Sequence, residues 1–395
     1  MINKKAFLTK AVEEGFKNKV NGYPLTLKHS KGRKLLDYKI YGNSVQDGTP
    51  TPDNPIEIQS VGELVTDTSD SNYGKYKIPV TVTGKNYNKT LPIHKYDYSL
   101  DYKKYNSTNI AILPKGTYTL SGDYMPTIQF FDINTNERIL VPDAVTYNKN
   151  FVYSAWDNYA LTPTTTFVKQ ATITVLKDLK ITLASTVGEL GEFQIEEGNK
   201  ATEYEPYIEP KTTNIYLNEP LRKLGEYADY IDFKNKKIVR NIKESQINNS
   251  SLLNKFGGVK DYSAFFMIKN DLLDYGEEYK YNPPVRSNTF KFHPCGIANS
   301  NNSWTRNYQI GASVTANYKR MCFTLPNTIT DIASAKEWLT ENPIDYFYIT
   351  SEPDDTETIE LPNIPTNKGT NIITVDTTIQ PSKIEAEYNS FEKEV

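Results

Sequence analysis

The chain has 395 residues, enough for two or three domains with cores of their own, and its 29 Tyr and 16 Phe supply large apolar faces. Its net charge of −3 argues against nucleic acid, which requires a basic surface, and no apolar run approaches membrane-spanning length. Two cysteines are too few for a disulfide framework. We therefore expect an ordered, soluble, β-rich protein made in a cytoplasm, with no nucleic acid or membrane as partner.

The charges are spread unevenly along the chain. Residues 1–40 carry ten Lys or Arg against three Asp or Glu, whereas residues 351–395 carry three against ten. The two ends are either solvated tails or surfaces that contact each other or neighbouring subunits. The sequence by itself favours solvated tails.

The first predicted element is a basic amphipathic helix within residues 3–20. Its apolar residues recur at helical spacing, with Lys and Glu on the other face: Phe7, Leu8, Ala11, Val12 and Phe16. Such a helix is marginal in water when isolated. We therefore expect it to pack on its own domain, pair with symmetry mates or dock into a larger structure.

A stiff loop follows a predicted strand at Leu35 to Tyr41. Three prolines between residues 50 and 55 each remove a backbone donor and fix φ, so this loop cannot be helical. Beyond the loop, Ile56 and Ile58 alternate with Glu57 and Gln59. That alternation predicts a half-buried strand.

From residue 75 to about residue 210 the sequence changes to short alternating runs separated by turn residues. The predicted strands are Tyr76 to Val82, Gly116 to Tyr124, Thr127 to Ile133, Thr166 to Val175 and Lys177 to Ala184. Regular short strands of this kind favour a jelly-roll β-sandwich. The proline-containing segment Glu203 to Pro210, called the strap below, suits neither helix nor central strand.

Residues 211–395 return to β-structure interrupted by one helix. The predicted strands are Ile215 to Leu217, Tyr230 to Phe233, Lys237 to Ile242, Ser263 to Lys269, Thr289 to His293, Arg320 to Leu325, Ile344 to Thr350, Gly369 to Ile379 and Ile384 to Tyr388. The helix is expected at Asp331 to Glu341, with Asp331 as its cap and Asn342 and Pro343 ending it.

Together these elements predict a mainly β protein in four segments. Residues 1–21 form the basic helix, residues 22–74 the first part of a β platform, residues 75–210 an inserted β-sandwich, and residues 211–395 the second part of the platform. The helix at residues 331–341 is the one further helix expected.

Four separated motifs carry a resemblance to a known family. The first motif is GNSVQDGTPTPDNPIEIQSVGE (Gly42 to Glu63), the second FQIEEGNKATEYEPY (Phe193 to Tyr207), the third LNEPLRKLGEYADYIDF (Leu217 to Phe233) and the fourth ELPNIPTNKGTNIITVDTTIQPSKIEAEY (Glu360 to Tyr388). In this order they resemble minor tail and baseplate proteins of phages, prophages and phage-tail-like particles from Gram-positive bacteria. They cover about a fifth of the chain.

The resemblance implies a non-enzymatic structural protein of a virion tail tip or baseplate, with a carbohydrate-binding-like sandwich inserted between the first motif and the strap. It implies contacts with other tail proteins and with host cell-wall polysaccharide, for receptor binding and host adsorption, and by analogy a homotrimer. The N-terminal helix and residues 248–318 match no part of the family. Two alternatives remain open: a purely architectural connector without sugar binding, and, less favoured, a cell-wall or capsule glycan hydrolase.

Sugar-binding sandwiches stack aromatic rings on pyranose faces and place Asp, Asn or Arg beside them. The candidates in the predicted sandwich are Tyr124, Phe130, Phe131, Asp132, Tyr153, Trp156, Asp157, Asn158 and Tyr159. The cluster around Trp156 is preferred, because a turn-like Asp-Asn pair beside Trp predicts an exposed loop. The alternative, that Trp156 caps the sandwich core, carries somewhat more weight from residue statistics.

Catalytic and metal sites receive little support from the sequence. In a glycoside hydrolase two carboxylates must flank the bond that is cleaved. Glu192 and Glu196 would lie on the same face of one strand, but nothing in the sequence supplies the opposite wall of a cleft. We expect both to be surface carboxylates.

Asp354 and Asp355 are predicted as a turn. No cofactor is expected, although a structural calcium ion involving Asp132 or Asp157 is left open.

Overall fold

A computed structural model describes the following residues: 9–14, 25–29, 35–51, 54–88, 94–95, 111–154, 157–165, 167–185, 192–259, 262–273, 285–289, 311–315, 320–362 and 369–388. This part of the chain is mainly β, as predicted. Its two helices are α1 (Val141–Ala144) and α2 (Ile332–Glu341).

The strands are numbered in chain order. The first group is β1 (Thr9–Glu14), β2 (Leu25–His29), β3 (Leu35–Tyr41), β4 (Ser44–Val45), β5 (Gln59–Ser60), β6 (Glu63–Leu64) and β7 (Tyr76–Thr83). The second group is β8 (His94–Lys95), β9 (Ala111–Leu113), β10 (Gly116–Gly122), β11 (Thr127–Asp132), β12 (Val145–Tyr147), β13 (Phe151–Ser154), β14 (Asp157–Pro163), β15 (Gln170–Val175), β16 (Leu179–Ser185) and β17 (Phe193–Glu197). The third group is β18 (Lys211–Leu217), β19 (Lys223–Leu224), β20 (Tyr227–Ala228), β21 (Tyr230–Asp232), β22 (Lys237–Ile247), β23 (Asn254–Val259), β24 (Tyr262–Ile268), β25 (Val285–Ser287), β26 (Gly311–Thr315), β27 (Arg320–Pro326), β28 (Ile344–Thr358), β29 (Asn371–Val375) and β30 (Lys383–Tyr388).

Two sheets form what we call the platform. One has the strand order β1-β30-β3-β21-β22-β28-β25, and the other has the order β18-β7-β29-β2 with β6 paired to β7. A common apolar core draws side chains from both sheets, including Ile40, Val80, Ile231 and Ile373. Each of the two sheets combines strands from both halves of the sequence, so neither half could form this core alone.

The segment between β7 and β18, residues 84–210, is called the insert. Its sheets have the orders β12-β15-β10-β17 and β13-β14-β11-β16-β8, with β9 also paired to β16. Both sheets contribute to one core that contains Leu120, Phe130, Ile173 and Phe193. β7 pairs with β18 in the platform, so Tyr76–Thr83, which the sequence placed at the start of the sandwich, belongs to the platform sheet.

A third core lies between the sheet β23-β24-β27-β26, helix α2 and the long strands β22 and β28. Helix α2 begins as predicted. The Asp331 side chain accepts a hydrogen bond from the backbone N–H of Ser334, and the Ser334 hydroxyl accepts one from the backbone N–H of Asp331, forming a capping box. Ala335 and Leu339 face the core from the helix. The helix predicted near residues 331–341 is therefore confirmed.

The predicted N-terminal helix is wrong over Thr9–Glu14, which form β1 and pair with β30. The register sets Thr9 opposite Tyr388 and Glu14 opposite Lys383 along this antiparallel pair. A helix of this length is marginal alone, whereas β30 offers a row of backbone partners. The basic and acidic ends of the chain thus meet here, which the sequence had rated the less favoured alternative. The rest of residues 1–21 lies outside the described residues.

Two shorter predictions also differ from the structure. Ile56 and Ile58 are half-buried as expected, but their backbone N–H groups donate to Asn288, at 2.7 and 3.0 Å, and not to a neighbouring strand. Asp354 and Asp355 lie inside β28 and not in a turn, because the strand continues past them along β22. The strand predicted at residues 289–293 falls mostly outside the described residues.

Candidate functional site

The hairpin of β13 and β14 lies at one edge of the larger sheet of the insert. Tyr153 pairs with Leu161 across this hairpin, and its side chain is 44% exposed. The neighbouring Val152 is also exposed. Trp156 lies outside the described residues. The described hairpin therefore presents one aromatic ring at the sheet edge, where a partner can reach it.

The polar residues beside the tip differ from the prediction. Asp157 and Asn158 are the first residues of β14 and do not form the predicted turn. Asn158 is exposed. Tyr159 is half-buried, and the guanidinium carbon of Arg138 lies 4.6 Å from its ring centroid. One face of Tyr159 is thus occupied by a cation and is closed to a sugar ring.

Phe131 cannot act as a stacking platform, because only 2% of it is exposed. It lies on β11, an inner strand between β14 and β16, and Phe130 beside it belongs to the core of the insert. An inner strand has neighbours on both sides, whereas an edge strand has one. Sequence alternation could not reveal which strands would be internal.

Tyr124 is exposed but lies at the other end of β11 from the tip of the hairpin. The register pairs Ile128 with Leu161, so the chain before β11 is next to the end of β14, while Asn158 is at its start. The predicted site residues are therefore divided between two places. Tyr153 and Asn158 belong to the hairpin, and Tyr124 belongs to the opposite end of the sheet.

The sequence analysis missed several exposed apolar side chains of the insert. Phe167 is 87% exposed in the loop after β14, and Gly122 donates to the carbonyl of Lys169, 3.1 Å away, which places this loop near the end that carries Tyr124. Exposed aliphatic side chains in the insert are Ile112, Leu140, Val152 and Leu176. The available signal for Phe167 was its position within a run of Thr and Pro residues, which is typical of loops.

The two glutamates considered for hydrolysis do not form a pair. Glu192 is exposed, whereas Glu196 is buried and its carboxylate accepts three hydrogen bonds, one from Gln194 and two from Thr202, each 2.7 Å long. The expectation of a surface carboxylate is thus wrong for Glu196. These hydrogen bonds hold the segment that leads into the strap. The oxygen atoms of the Glu196 carboxylate are therefore already engaged.

Asp132, considered for calcium, terminates β11 in a turn. Its carboxylate accepts from the backbone amides of Thr135 and Asn134, at 3.1 and 2.9 Å, and these bonds lower the pKa of Asp132. In the part of the chain with described side chains, no three His, Cys, Asp or Glu residues come together as a metal site. The turn explains the position of Asp132 without a metal ion.

The third motif contains a buried carboxylate that organises the platform. Asp229 is fully buried and accepts backbone hydrogen bonds from Asn241, Ile242 and Arg222, at 2.8, 3.0 and 3.1 Å. Arg240 lies 3.4 Å away. Burial raises the pKa of Asp229, and these donors and the cation oppose that effect. Asp229 therefore joins the third motif to β22.

Glu205 of the second motif has a similar role in the strap. Its carboxylate accepts from the backbone and hydroxyl of Thr370, at 2.7 and 2.9 Å, and lies 3.4 Å from the ammonium of Lys85. Glu205, Lys85 and Thr370 are all buried. One carboxylate thus connects the beginning of the insert, the strap and the fourth motif.

Comparisons with family models, curated proteins and solved structures found no match to this chain. Among the described residues, no helix combines the length and the apolar character needed to cross a membrane. The motifs and the geometry above are therefore the basis of the functional proposal.

Proposed function

We propose that the chain is a non-enzymatic structural component of a phage tail tip or baseplate, or of a tail-like particle. In this role the platform joins the protein to other tail proteins, and the insert contacts cell-wall polysaccharide of the Gram-positive host. The single observation that carries the binding role is the exposed aromatic hairpin at the edge of the insert.

The arrangement of the four motifs supports the structural half of this proposal. Gly42 of the first motif donates to the carbonyl of Asp229 in the third, 2.7 Å away. The Asn43 side chain of the first motif donates to the carbonyl of Gln380 in the fourth, 3.1 Å away. Glu205 links the second motif to the fourth. Residues that are far apart in sequence therefore specify one framework, as expected if the resemblance reflects a shared architecture and not a shared reaction.

The hairpin supports the binding half. Tyr153 offers a ring and Asn158 an amide, which are the two kinds of group that hold a sugar. Isolated sites of this shallow kind bind weakly. Several copies on one tail tip would act together through their high effective concentration, and a homotrimer would supply such copies.

The architectural connector remains the second candidate, because a specific observation favours it. Ile112, Val152 and Leu176 are exposed aliphatic residues of the insert, and aliphatic side chains pack against proteins more readily than against sugars. In this alternative the insert binds a neighbouring tail subunit.

The test measures co-sedimentation of the purified protein with intact Gram-positive cell walls and with walls stripped of polysaccharide, with light scattering to define the oligomer. The variants are Tyr153→Ala and Trp156→Ala. Tyr73→Ala is the matched control, because Tyr73 is 58% exposed but lies in the platform. We expect binding to intact walls only, lost in the hairpin variants and kept in the control, with the oligomer unchanged.

Other outcomes select the alternatives. An oligomer that binds neither kind of wall would favour the architectural connector. Release of soluble sugar from the walls would contradict the non-enzymatic role, and Glu192→Gln would then be the first variant to examine for loss of hydrolysis.

A further inference from the structure

The two chain segments that join the insert to the platform are packed together and buried. The outgoing segment carries three polar residues that are at most 7% exposed, namely Lys85, Asn86 and Asn88. A Cβ atom on Gly84 would lie 3.2 Å from Ile208 of the strap, so the outgoing and returning segments are in contact. A flexible linker is typically rich in Gly and Ser and is solvated. These two segments therefore have the character of a packed junction.

Side-chain hydrogen bonds attach this junction to β17, an edge strand of the insert. The Asn86 side chain accepts from the backbone amide of Ile195, 3.1 Å away, and donates to the carbonyl of Glu205, 2.9 Å away. The Gln194 side chain accepts from the backbone amide of Glu205, also 2.9 Å away. The outgoing segment and the strap are thus both bound to the same strand.

The strap is bound in turn to the platform through the Glu205 carboxylate. This carboxylate accepts from the backbone and the hydroxyl of Thr370, the residue that precedes β29. A Cβ atom on Gly369 would lie 2.5 Å from the carboxylate, so a side chain at that position would displace it. The Lys85 ammonium lies 3.4 Å from the same carboxylate. Insert, strap and platform are therefore joined by one polar network, whose members Lys85, Glu205 and Thr370 are buried.

The hairpin of β13 and β14 lies on the side of the insert that is remote from this junction. In the smaller sheet of the insert, β17 is one edge strand and β12 is the other. Three strand spacings separate these two edges, which is a distance of about 14 Å. Only residues 148–150 connect β12 to β13, so β13 begins beside the β12 edge. The junction and the hairpin therefore lie at opposite edges of the insert.

We infer that the junction clamps the insert to the platform in one orientation, so that the insert is a rigid arm that carries the β13–β14 hairpin on its outer side. Another orientation would leave buried polar groups of the junction unpaired, which is costly. In an oligomer, the distances between the hairpins of the copies would then be fixed by the fold. Such distances decide whether several copies can engage one surface together. The inference holds whether the hairpin meets a sugar or a protein.

Pulsed electron paramagnetic resonance tests this arrangement by measuring the distances between two spin labels on the full chain. One label is attached to Thr68→Cys, in an exposed turn between β6 and β7 of the platform, and the other to Lys149→Cys, at an exposed position of the insert. Cys295→Ser and Cys322→Ser remove the two natural cysteines. A rigid arm gives a single narrow distance distribution, whereas a tethered module gives a broad one. Circular dichroism confirms that each labelled protein is folded.

The decisive variant is Thr370→Val, which removes the hydroxyl that donates to Glu205 and keeps the volume of the side chain. Thr119→Val is the matched control, because Thr119 is also buried but its hydroxyl donates to the carbonyl of Gly198, 2.8 Å away, within the insert. We expect loss of the narrow distribution in Thr370→Val and in Glu205→Gln, and no change in the control.

Two results would overturn the inference. One is a broad distance distribution in the labelled protein that keeps the junction intact. The other is the same width of the distribution in Thr370→Val and Thr119→Val. Failure of the insert to bind cell walls would leave these distances unchanged, so the rigid arm and the proposed binding role are tested separately.

Discussion

At the scale of single residues, buried carboxylates decide how the separated motifs are joined. Glu205 accepts hydrogen bonds from Thr370, far along the chain, and Asp229 accepts them from Arg222, Asn241 and Ile242, so the burial of both carboxylates is compensated. Their positions within the segments EYADY and EYEPY therefore have a structural explanation. Both side chains are also sites where a conservative substitution is expected to be costly.

Glu205→Gln should destabilise the protein strongly. The change leaves the buried ammonium of Lys85 without its counter-ion, and breaking a buried ion pair typically costs about 3 to 5 kcal/mol. Urea unfolding followed by circular dichroism measures this loss. Glu192→Gln, at an exposed glutamate of the same region, is the control and should change little. Equal stabilities of the two variants would refute the role assigned to Glu205.

Gly42→Ala should be destabilising for a steric reason. A Cβ atom on Gly42 would lie 2.4 Å from the carbonyl oxygen of Arg222, so the first and third motifs would have to separate. Overpacking of this kind costs about 1 to 3 kcal/mol. Gly116→Ala is the control, because its Cβ would meet Tyr118 at an ordinary 3.5 Å. Thermal unfolding of the two variants compares them directly, and a smaller loss at Gly42 would contradict the packing argument.

Among the helices and strands, sequence patterns predicted an element correctly where all of its determinants lie within the element itself. Helix α2 carries its own cap, its apolar spacing and its stop signal, so the sequence contained all that was needed. β1 was misread because its pattern fits a helix and its strand state depends on β30, far along the chain. The hairpin tip was misread for the same reason, since pairing to β13 extends β14 to Asp157.

Asp331→Ala should reduce stability in a manner that depends on pH. Hydrogen bonds from Ser334 lower the pKa of Asp331 below its ordinary value of 3.8 in the folded protein. Its carboxylate therefore stabilises the fold above that value, and this contribution is lost as the pH falls through the lowered pKa. The difference from the original protein should be largest near neutral pH and shrink in acid. Asp331→Asn keeps an uncharged cap and should show no such dependence in urea unfolding at several pH values.

At the scale of the whole molecule, the insert leaves and re-enters the platform at neighbouring positions. Val82 at the end of β7 lies opposite Lys211 at the start of β18. An excursion whose two ends are adjacent can be lengthened or removed with little strain on the host sheet. The ion pair between Glu205 and Lys85 holds the base of the insert in place.

Replacing residues 85–209 by a short Asn-Gly turn should leave a folded platform that no longer binds cell walls. The turn joins two strands that are already paired, so the platform sheet should survive, with some loss of stability because the Glu205 contacts disappear. Circular dichroism, light scattering and wall co-sedimentation test these outcomes. A folded variant that still binds walls would locate the binding surface outside the insert.

The candidate site was less predictable than the fold. Tyr153 and Asn158 were proposed because they belong to an unusual cluster of aromatic and polar residues, and both are exposed. Phe131 was a wrong candidate because it is buried on an internal strand. Apolar and polar residues alternate in the same way in an edge strand and in an internal strand. Arg138 was missed because its contact with Tyr159 crosses from the turn after β11 to β14.

The mainly β class, most strand positions and the capped helix α2 could be predicted from short-range patterns, because alternation and capping act between residues a few positions apart. The folded chain was needed to see which strands are internal, that β1 pairs with β30, and that the four separated motifs form one framework. Those outcomes depend on strand partners and burial, which are properties of the whole chain and are not encoded within any short segment.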